Sequence, residues 1–535
     1  MTSKRLQNAE VLGLLGLLKT SKIAYMSQTI NVLFLAAEAE PFVKVGGLGD
    51  VSGTLPRALR ALSNDEVKLD VRLVLPMHSV IKAESLKPVS IYSIPRGKTE
   101  VQVEALEGVL DGMPVYFING DPIRASGSVY SSNNKLDAEK YVFFALAALE
   151  LPHQLNWNPN IIHCNDWHTA LAAYGNLVKR WEDKKNRIAS VITIHNLPFL
   201  GPDVKEILES YNLPLANTDL PDWARVMPMP LGLWASDAMV AVSPTYAEEI
   251  SHDEVFGSGL QDFFKTRSDT LSGILNGIDL ASFDPQTDSV LSANFNADDL
   301  LARKKNKATL QEKLGLPVDP DVPLLGMVTR MDNAKGIDIA LKGLKMLAKK
   351  NWQLVILGAG QPKLEEDAKK LQASLPERVR VETRYDAKLA RQIYAGSDMF
   401  LMPSRYEPCG ISQMIAMRYG SVPVVRAVGG LHDTVTDSET GFVFVDEKVK
   451  SFNDAVRRAL ELYPYHSRWA NLQKAGMAQD FSWSSSANRY LELYKKLVDS
   501  SNSVASGETY PNRAAVPVRK IREEKTPNGA RNGEG

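Results

Sequence analysis

Three charged residues in the second half of the chain follow predicted strands. Arg330 and Lys335 stand in "VTRMDNAKG", and Glu407 stands in "SRYEPCG" after a strand that ends at "MFLMPS". Arginine neutralises phosphate as a planar fork and lysine as a point charge. A carboxylate is stabilised beside a helix N-terminus, where it can accept hydrogen bonds from sugar hydroxyls. The trio predicts a site for a diphosphate joined to a sugar, and solvated surface charges are the alternative.

Two glycine pairs lie at predicted junctions between a strand and a helix. The first is in "PFVKVGGLGD" and the second in "AVGGLHDTV", and neither fits the Walker or dinucleotide pattern. Glycine lacks Cβ, so backbone N–H groups can approach an anion, and the following helix adds a favourable dipole. We interpret both turns as anion turns; plain sharp turns are the alternative. Their candidate residues are Lys44, Gly46, Gly47, Asp50, Gly429 and Gly430.

Three histidines fall into two groups: one candidate for binding a ligand and a pair with a structural role. His195 ends the predicted strand "VITIH", where its side chain would line a cleft, although a hydrogen-bonded structural histidine is the alternative. His163, Asp166 and His168 in "HCNDWH" have the composition of a metal set. We favour a structural role because the motif crosses a strand end, where side chains diverge. The sequence has no Gly-x-Ser-x-Gly elbow and no His-Glu-x-x-His motif.

Composition narrows the class of protein. The 535 residues are 44% hydrophobic and 23% charged, which is typical of a globular protein too long for one core. The formal net charge of −1 argues against a dedicated nucleic-acid binder. Two distant cysteines give no disulfide framework, and no apolar run approaches a membrane span. We therefore expect no nucleic-acid or membrane partner and a cytoplasmic location.

The elements that must position these residues alternate between strands and helices. Apolar runs at 31–37, 69–76, 113–119, 160–166, 189–195 and 237–244 predict the strands of one sheet. The alternation weakens around 286–320 and resumes with runs at 322–330, 352–360, 378–383, 398–404, 421–427 and 441–446. Near-continuous apolar strands separated by helices indicate doubly wound parallel sheets. The predicted fold is α/β, with two Rossmann-like domains facing across a deep cleft, where the carboxyl ends of strands bind ligands.

We divide the chain accordingly. The predicted parts are an N-terminal extension (1–28), an N-terminal Rossmann-like domain (29–285), an interdomain region (286–320), a C-terminal Rossmann-like domain (321–480), a C-terminal helix (481–500) and a disordered tail (501–535). The extension has basic residues before a short apolar segment, as a signal peptide would, but lacks a clear cleavage site. We interpret it as an ancillary extension or an over-long start.

Together the motifs resemble the bacterial glycogen synthase and plant starch synthase family. "KVGGLGDV", "HCNDWHT", "TIHNL", "AVSPTYAEEI", "LNGID", "VTRMDNAKG", "SRYEPCG" and "VGGLHDTV" occur in the family's order across about residues 30–495. The resemblance implies the B-type glycosyltransferase fold. It places the acceptor on the side of domain 29–285 and the nucleotide sugar on the side of domain 321–480, with the C-terminal helix 481–500 packing on the first domain. It implies transfer of glucose from a sugar nucleotide, ADP-glucose or alternatively UDP-glucose, to the non-reducing end of an α-1,4-glucan. It also implies retention of configuration, no metal and no cofactor.

The resemblance also assigns roles to residues whose letters match the family's motifs. The catalytic set is Lys44, His195, Arg330, Lys335 and Glu407. The substrate-binding set is Gly46, Gly47, Asp50, Asn276, Tyr385, Cys409, Gly410, Ile411, Gly429 and Gly430. Within these sets the resemblance implies that Arg330 and Lys335 neutralise the diphosphate, that Glu407 grips the donor glucose and that Tyr385 lies near the nucleobase.

Three departures from the family pattern leave alternatives open. "TIHNLPFLG" changes the segment beside His195, Val428 replaces a common threonine, and Ile415 stands at a position that is commonly polar or tyrosine. The base pocket or the acceptor could therefore differ. A retaining glycosyltransferase with UDP-glucose or a small acceptor is one alternative, and a non-catalytic glucan-binding protein is the other.

Overall fold

The computed structural model describes residues 28–63, 67–183 and 185–504. The predicted N-terminal extension, apart from residue 28, lies outside this range, as does the predicted tail from residue 505 onward. Within it the strands form two sheets, as the alternation predicts. No helix in these ranges is both long and apolar enough for a transmembrane segment.

The first sheet has nine strands in the order β3-β4-β5-β2-β1-β6-β7-β8-β9. Its strands are β1 (Gln28–Leu35), β2 (Val67–Pro76), β3 (Lys87–Arg96), β4 (Thr99–Leu110), β5 (Met113–Asn119), β6 (Ile161–Asn165), β7 (Ala189–Ile194), β8 (Ala238–Ala241) and β9 (Leu271–Gly273). Pairing is parallel from β5 through β9 by way of β2 and β1. The β3–β4 hairpin pairs antiparallel with β5 at one edge and was not predicted.

The helices of this half cover both faces of the sheet. They are α1 (Gly47–Ala61), α2 (Asp121–Arg124), α3 (Asn134–Gln154), α4 (Trp167–Glu182), α5 (Lys205–Ser210), α6 (Pro228–Ala235), α7 (Pro244–His252) and α8 (Gln261–Thr266). The central strands β6 and β7 are buried at every position, which explains their continuous apolar runs. Gly53 lets α1 pack against the 38–41 turn, because a Cβ there would overlap the carbonyl oxygen of Glu40.

The second sheet has six parallel strands in the order β12-β11-β10-β13-β14-β15. They are β10 (Leu324–Val328), β11 (Gln353–Leu357), β12 (Val379–Glu382), β13 (Met399–Met402), β14 (Val422–Arg426) and β15 (Phe442–Phe444). Its helices are α9 (Arg303–Lys313), α10 (Ile337–Met346), α11 (Pro362–Ser374), α12 (Ala387–Gly396), α13 (Ser412–Arg418), α14 (Gly429–Thr434), α15 (Val449–Leu462) and α16 (His466–Met477). The prediction of two doubly wound α/β halves is confirmed.

The last described helix, α17 (Trp483–Val504), returns to the first sheet. Tyr490 and Tyr494 on this helix are buried in the core around β1 and β2. His163 at the centre of β6 has its Nδ1 2.6 Å from the Tyr494 hydroxyl and its Nε2 2.7 Å from Thr193 Oγ1. This histidine therefore ties α17 to the sheet.

Candidate active site

The candidate residues lie in loops that follow the carboxyl ends of strands in both sheets. Lys44 and the first glycine pair follow β1, and His195 follows β7 directly. Lys335 follows β10, and Glu407 follows β13. Parallel strands bring such loops together at one edge of each sheet, where α/β proteins bind their ligands.

The first glycine turn is held by an internal carboxylate. Glu38 Oε2 accepts the N–H groups of Val45 and of Gly46, the latter at 3.1 Å. Tyr130 donates its hydroxyl to Glu38 Oε1 at 3.0 Å. In this structure the Gly46 amide donates to a carboxylate of the protein itself, and its role at a phosphate stays a prediction. Gly47 is exposed at the start of α1, with no neighbouring atom where a Cβ would stand.

Lys44 and Asp50 on either side of these glycines form an ion pair. The Lys44 Nζ lies 2.5 Å from Asp50 Oδ1 and 2.9 Å from Glu40 Oε2. Burial lowers the pKa of Lys44, but the hydrogen bonds and charges of Asp50 and Glu40 outweigh burial and raise it. The turn therefore presents a protonated ammonium with two acidic partners.

His195 is oriented by the two residues that end the β6 motif. Its backbone N–H donates to Asp166 Oδ1 at 2.7 Å, and its Nε2 lies 2.9 Å from Asn165 Oδ1. Asn165 Nδ2 donates to the carbonyl of Leu35, so Oδ1 is the acceptor and His195 Nε2 carries the proton. Burial lowers the pKa of His195 to about 3, so the ring is neutral near pH 7 and Nδ1 is a hydrogen-bond acceptor.

The sequence motif "HCNDWH" therefore contributes to the site through residues that we did not assign to it. Asp166 contacts the backbone of His195 and Asn196, and burial raises its pKa to about 7. His168 packs between the rings of Trp167, Tyr130 and Tyr141. Among the described residues, no three His, Cys, Asp or Glu side chains are grouped as a metal site. Adjacency of Asn165 and Asp166 to a strand end is the sequence signal that could have identified them.

Two predicted catalytic residues of the second half, Lys335 and Glu407, form an ion pair. The Lys335 Nζ lies 2.8 and 2.7 Å from the two carboxylate oxygens of Glu407. Ser404 donates its hydroxyl to Glu407 Oε2 at 3.0 Å. The side chains of Lys335 and Glu407 are 19% and 9% exposed, so the pair is largely removed from water. Lys335, predicted to bind the diphosphate, and Glu407, predicted to bind the sugar, are thus neighbours.

Arg330 and Tyr385 present their side chains to solvent. The Arg330 side chain is 75% exposed, and its guanidinium lies 3.5 Å from Asp332 Oδ2. Tyr385 is 85% exposed, with the largest exposure of any aromatic residue in the described part of the chain. An exposed aromatic ring is free to stack on a planar ligand. The roles of Arg330 at the diphosphate and of Tyr385 at the nucleobase stay predictions.

Asn276 and Cys409 meet beneath the Glu407 segment. The Asn276 backbone N–H donates to the Cys409 thiol, and burial raises the pKa of that thiol to about 12. Cys409 is therefore a neutral thiol near pH 7, which does not favour nucleophilic attack. Asn276 is buried, and its Oδ1 has no hydrogen-bond partner among the described residues. A buried carbonyl oxygen of this kind is suited to accept from a ligand hydroxyl.

The second glycine pair packs against the backbone of the Glu407 segment. A Cβ on Gly429 would overlap the carbonyl oxygen of Glu407, and a Cβ on Gly430 would overlap that of Cys409. The Gly429 N–H donates to Glu249 Oε1 at 2.9 Å, and the Gly430 N–H donates to the Glu407 carbonyl at 3.2 Å. Both amides have partners in the protein in this structure, and their role at a phosphate stays a prediction.

The remaining predicted residues and departures serve the local backbone and core. Gly410 has a φ of +69°, and Ile411 immediately precedes α13 and is partly buried. Val428 and Ile415 are both buried in apolar clusters. The two departures therefore replace polar groups with core packing. Phe199 in the changed "LPFLG" segment is instead exposed.

Two family models match the chain, one in each half. The model described as "Starch synthase catalytic domain" matches residues 31–266, and the model described as "Glycosyl transferases group 1" matches residues 307–475. Glycogen synthases of Bacillus cereus strain B4264 and Streptococcus pneumoniae strain CGSP14 are each 38% identical to the chain. These alignments cover 88% of this chain and all of each relative.

Solved structures agree in fold. The catalytic domain of Starch Synthase IV from Arabidopsis thaliana, bound to ADP and acarbose, superposes with a TM-score of 0.78 and 33% identity. That similarity covers 88% of this chain and 100% of that chain. A sucrose-phosphate synthase from Thermosynechococcus elongatus shares the fold at 18% identity and a TM-score of 0.57.

Proposed function

The chain belongs to the glycogen and starch synthase family and is a glycosyltransferase, and we propose that it transfers glucose from ADP-glucose to the 4-hydroxyl at the non-reducing end of an α-1,4-glucan with retention of configuration. The observation that carries the proposal is the contact between Lys335 and Glu407, which joins a cation for a diphosphate to an acceptor for sugar hydroxyls. The choice of ADP is supported by the ADP bound to the Arabidopsis relative.

The leaving group gains negative charge as the glucose–phosphate bond breaks. Lys335 is fixed beside Glu407, while Arg330 is exposed on the same loop after β10. The fixed Lys335 cation, joined by Arg330 when the donor binds, can stabilise this charge without a metal ion, because preorganised charges act where the transition state develops its own. Metal-independent transfer, with no cofactor, is therefore part of the proposal. We expect EDTA to leave the rate unchanged.

Two hydrogen-bond acceptors are available to orient the donor sugar. Glu407 presents its carboxylate oxygens beside Lys335, and His195 presents Nδ1 because Nε2–H is engaged by Asn165. Holding the ring from two sides fixes the anomeric carbon toward the acceptor. Cys409 is a buried neutral thiol, so it supplies no nucleophile. We propose attack on the face that the phosphate leaves, with the departing phosphate taking the acceptor proton.

A donor and acceptor panel tests this function. Purified protein is incubated with radiolabelled ADP-, UDP- or GDP-glucose and either glycogen or maltose, and label in the polymer is counted. We expect ADP-glucose with glycogen to give the highest rate. Higher transfer from UDP-glucose, or transfer to maltose alone, would establish the alternative glycosyltransferase. Absence of transfer from every donor, with retained glycogen binding, would establish a glucan-binding protein.

Cytoplasmic residence belongs to the same proposal. Cys164 and Cys409 are both free and buried, which suits a reducing compartment. Cell fractionation with an antibody against the protein would test it, and recovery in a secreted or membrane fraction would contradict it.

A further inference from the structure

Helix α7 (Pro244–His252) joins the two halves of the candidate site. It follows β8 of the first sheet, yet its first turn bonds to the segment after β13 and to α14, both in the second half. Ser243, its N-cap, donates its hydroxyl to the carbonyl of Pro408 at 2.6 Å. Thr245 donates its hydroxyl to Asp433 Oδ1 at 2.7 Å and its backbone N–H to Asp433 Oδ2 at 3.0 Å. The helix is thus anchored to the segments that contain Glu407 and the second glycine pair.

Tyr246 on this helix touches the segments of both predicted sugar-binding residues. Its hydroxyl accepts the backbone N–H of Leu197 at 3.0 Å, two residues after His195. The same hydroxyl is hydrogen-bonded to the hydroxyl of Tyr406, the residue before Glu407. Tyr246 is fully buried, and its ring meets that of Tyr406 edge to face at 5.7 Å. One hydroxyl therefore bridges a strand end of the first sheet and a strand end of the second.

The groups involved set the direction of one of these hydrogen bonds. An N–H can only donate, so the Tyr246 oxygen accepts from Leu197. Between the two tyrosine hydroxyls, either oxygen can be the donor. Replacing Tyr246 with phenylalanine would remove both bonds at once and leave the Leu197 N–H unpaired in a buried position.

Glu249, one turn further along α7, contacts the glycine pair that packs against the Glu407 segment. Its Oε1 accepts the Gly429 N–H at 2.9 Å, and the adjacent Gly430 N–H donates to the Glu407 carbonyl at 3.2 Å. The carboxylate thereby holds the glycine pair on which the backbone of Glu407 rests. Neither Tyr246 nor Glu249 belongs to the predicted catalytic set.

We propose that α7 is a positioning element that sets the distance between His195 and Glu407, with Tyr246 and Glu249 as its positioning residues. The inference rests on the proposed function, because it assigns both sugar-binding residues to one donor. It gives α7 a role in turnover that is separate from holding the fold. Small displacements between two groups that grip one substrate cost rate, with losses of about 100-fold for about 1 Å.

The tyrosine bridge is tested with Tyr246→Phe, Tyr406→Phe and the double variant. Initial rates are measured with radiolabelled ADP-glucose and glycogen, and folding is checked by thermal unfolding. We expect each single variant to lose about 10- to 100-fold in kcat, with KM for ADP-glucose changed less than about threefold. Because both hydroxyls belong to one bridge, the double variant should lose no more than the larger single loss. Losses that multiply, or a kcat within twofold of wild type in folded Tyr246→Phe, would overturn the inference.

The role of Glu249 is tested with one disruptive variant, one conservative variant that should restore activity, and a matched control. Glu249→Ala removes the acceptor of the Gly429 N–H, whereas Glu249→Gln keeps an acceptor oxygen of the same shape. Glu248→Ala removes an exposed glutamate from the same helix. We expect kcat to fall in Glu249→Ala, to recover in Glu249→Gln and to stay unchanged in Glu248→Ala. Equal rates in Glu249→Ala and Glu248→Ala would contradict the inference.

A readout without turnover separates this inference from the proposed function. Amide hydrogen exchange should speed up around Leu197 in Tyr246→Phe, because its N–H loses a partner. If wild type transfers glucose from a donor other than ADP-glucose, the donor assignment fails and the same variants are assayed with that donor. If exchange at Leu197 rises while kcat is unchanged, the bridge is structural only and the positioning role is refuted.

Discussion

Replacing Lys335 with alanine should affect both turnover and stability, for different reasons. The variant removes a cation fixed by two hydrogen bonds of 2.8 and 2.7 Å to Glu407. Loss of one preorganised charge at the leaving group lowers kcat by about 100- to 1,000-fold, or about 2.7–4 kcal/mol. Separately, the Glu407 carboxylate is left with Ser404 as its side-chain donor in a site where it is only 9% exposed.

The cost to stability follows from this unpaired carboxylate. Removing one partner of a buried pair costs about 3–5 kcal/mol in free energy of unfolding. We expect about 3 kcal/mol here, at the lower end of that range. The reason is that Lys335 keeps 19% of its side chain in water. Making the partner neutral should remove this penalty, so Lys335→Ala/Glu407→Gln should regain most of the lost stability and none of the lost activity.

The assay compares wild type, Lys335→Ala, Lys335→Arg and the double variant. Label transfer to glycogen gives kcat, and urea unfolding gives the change in stability. Lys335→Arg is the control that keeps the charge beside Glu407. Near-normal turnover in Lys335→Ala would refute the assigned role. Equal stability of Lys335→Ala and the double variant would refute the electrostatic argument about the pair.

Three further outcomes follow from the structure. Burial lowers the pKa of His163 from 6.5 to about 3, so the unfolded chain binds its proton first and stability is lost as pH falls below 6.5. Below pH 6.5 the free energy of unfolding should fall by about 1.4 kcal/mol less per pH unit in His163→Gln than in wild type. An unchanged slope would contradict this. Tyr385→Ala should raise KM for the donor several-fold without changing the melting temperature, because the ring is exposed; an unchanged KM would remove it from the donor site. Iodoacetamide should leave folded Cys409 unmodified near neutral pH, since its thiol is buried and neutral, and mass spectrometry showing rapid alkylation would disprove this.

The alternation of apolar runs and helical segments was sufficient to predict the two α/β halves and the approximate ends of the strands that carry the site. Burial on both faces makes β6 and β7 continuous apolar runs, and helices between strands imply parallel pairing. The edge hairpin β3–β4 escaped prediction because one of its faces is exposed: Ile91, for example, faces solvent in the middle of β3. Its weaker apolar signal resembles that of loops and surface segments.

Local spacing along the chain is enough to show which residues follow strands and which charges they carry. The use of those charges depends on contacts between residues far apart in sequence. Lys335 and Glu407 are 72 residues apart, yet they form one ion pair. Glu38 and Glu249 occupy glycine amides that the sequence assigned to phosphate. Any anion can fill an anion turn. At Gly46 the anion comes from eight residues away, whereas at Gly429 it comes from Glu249, 180 residues away, which only tertiary packing brings near.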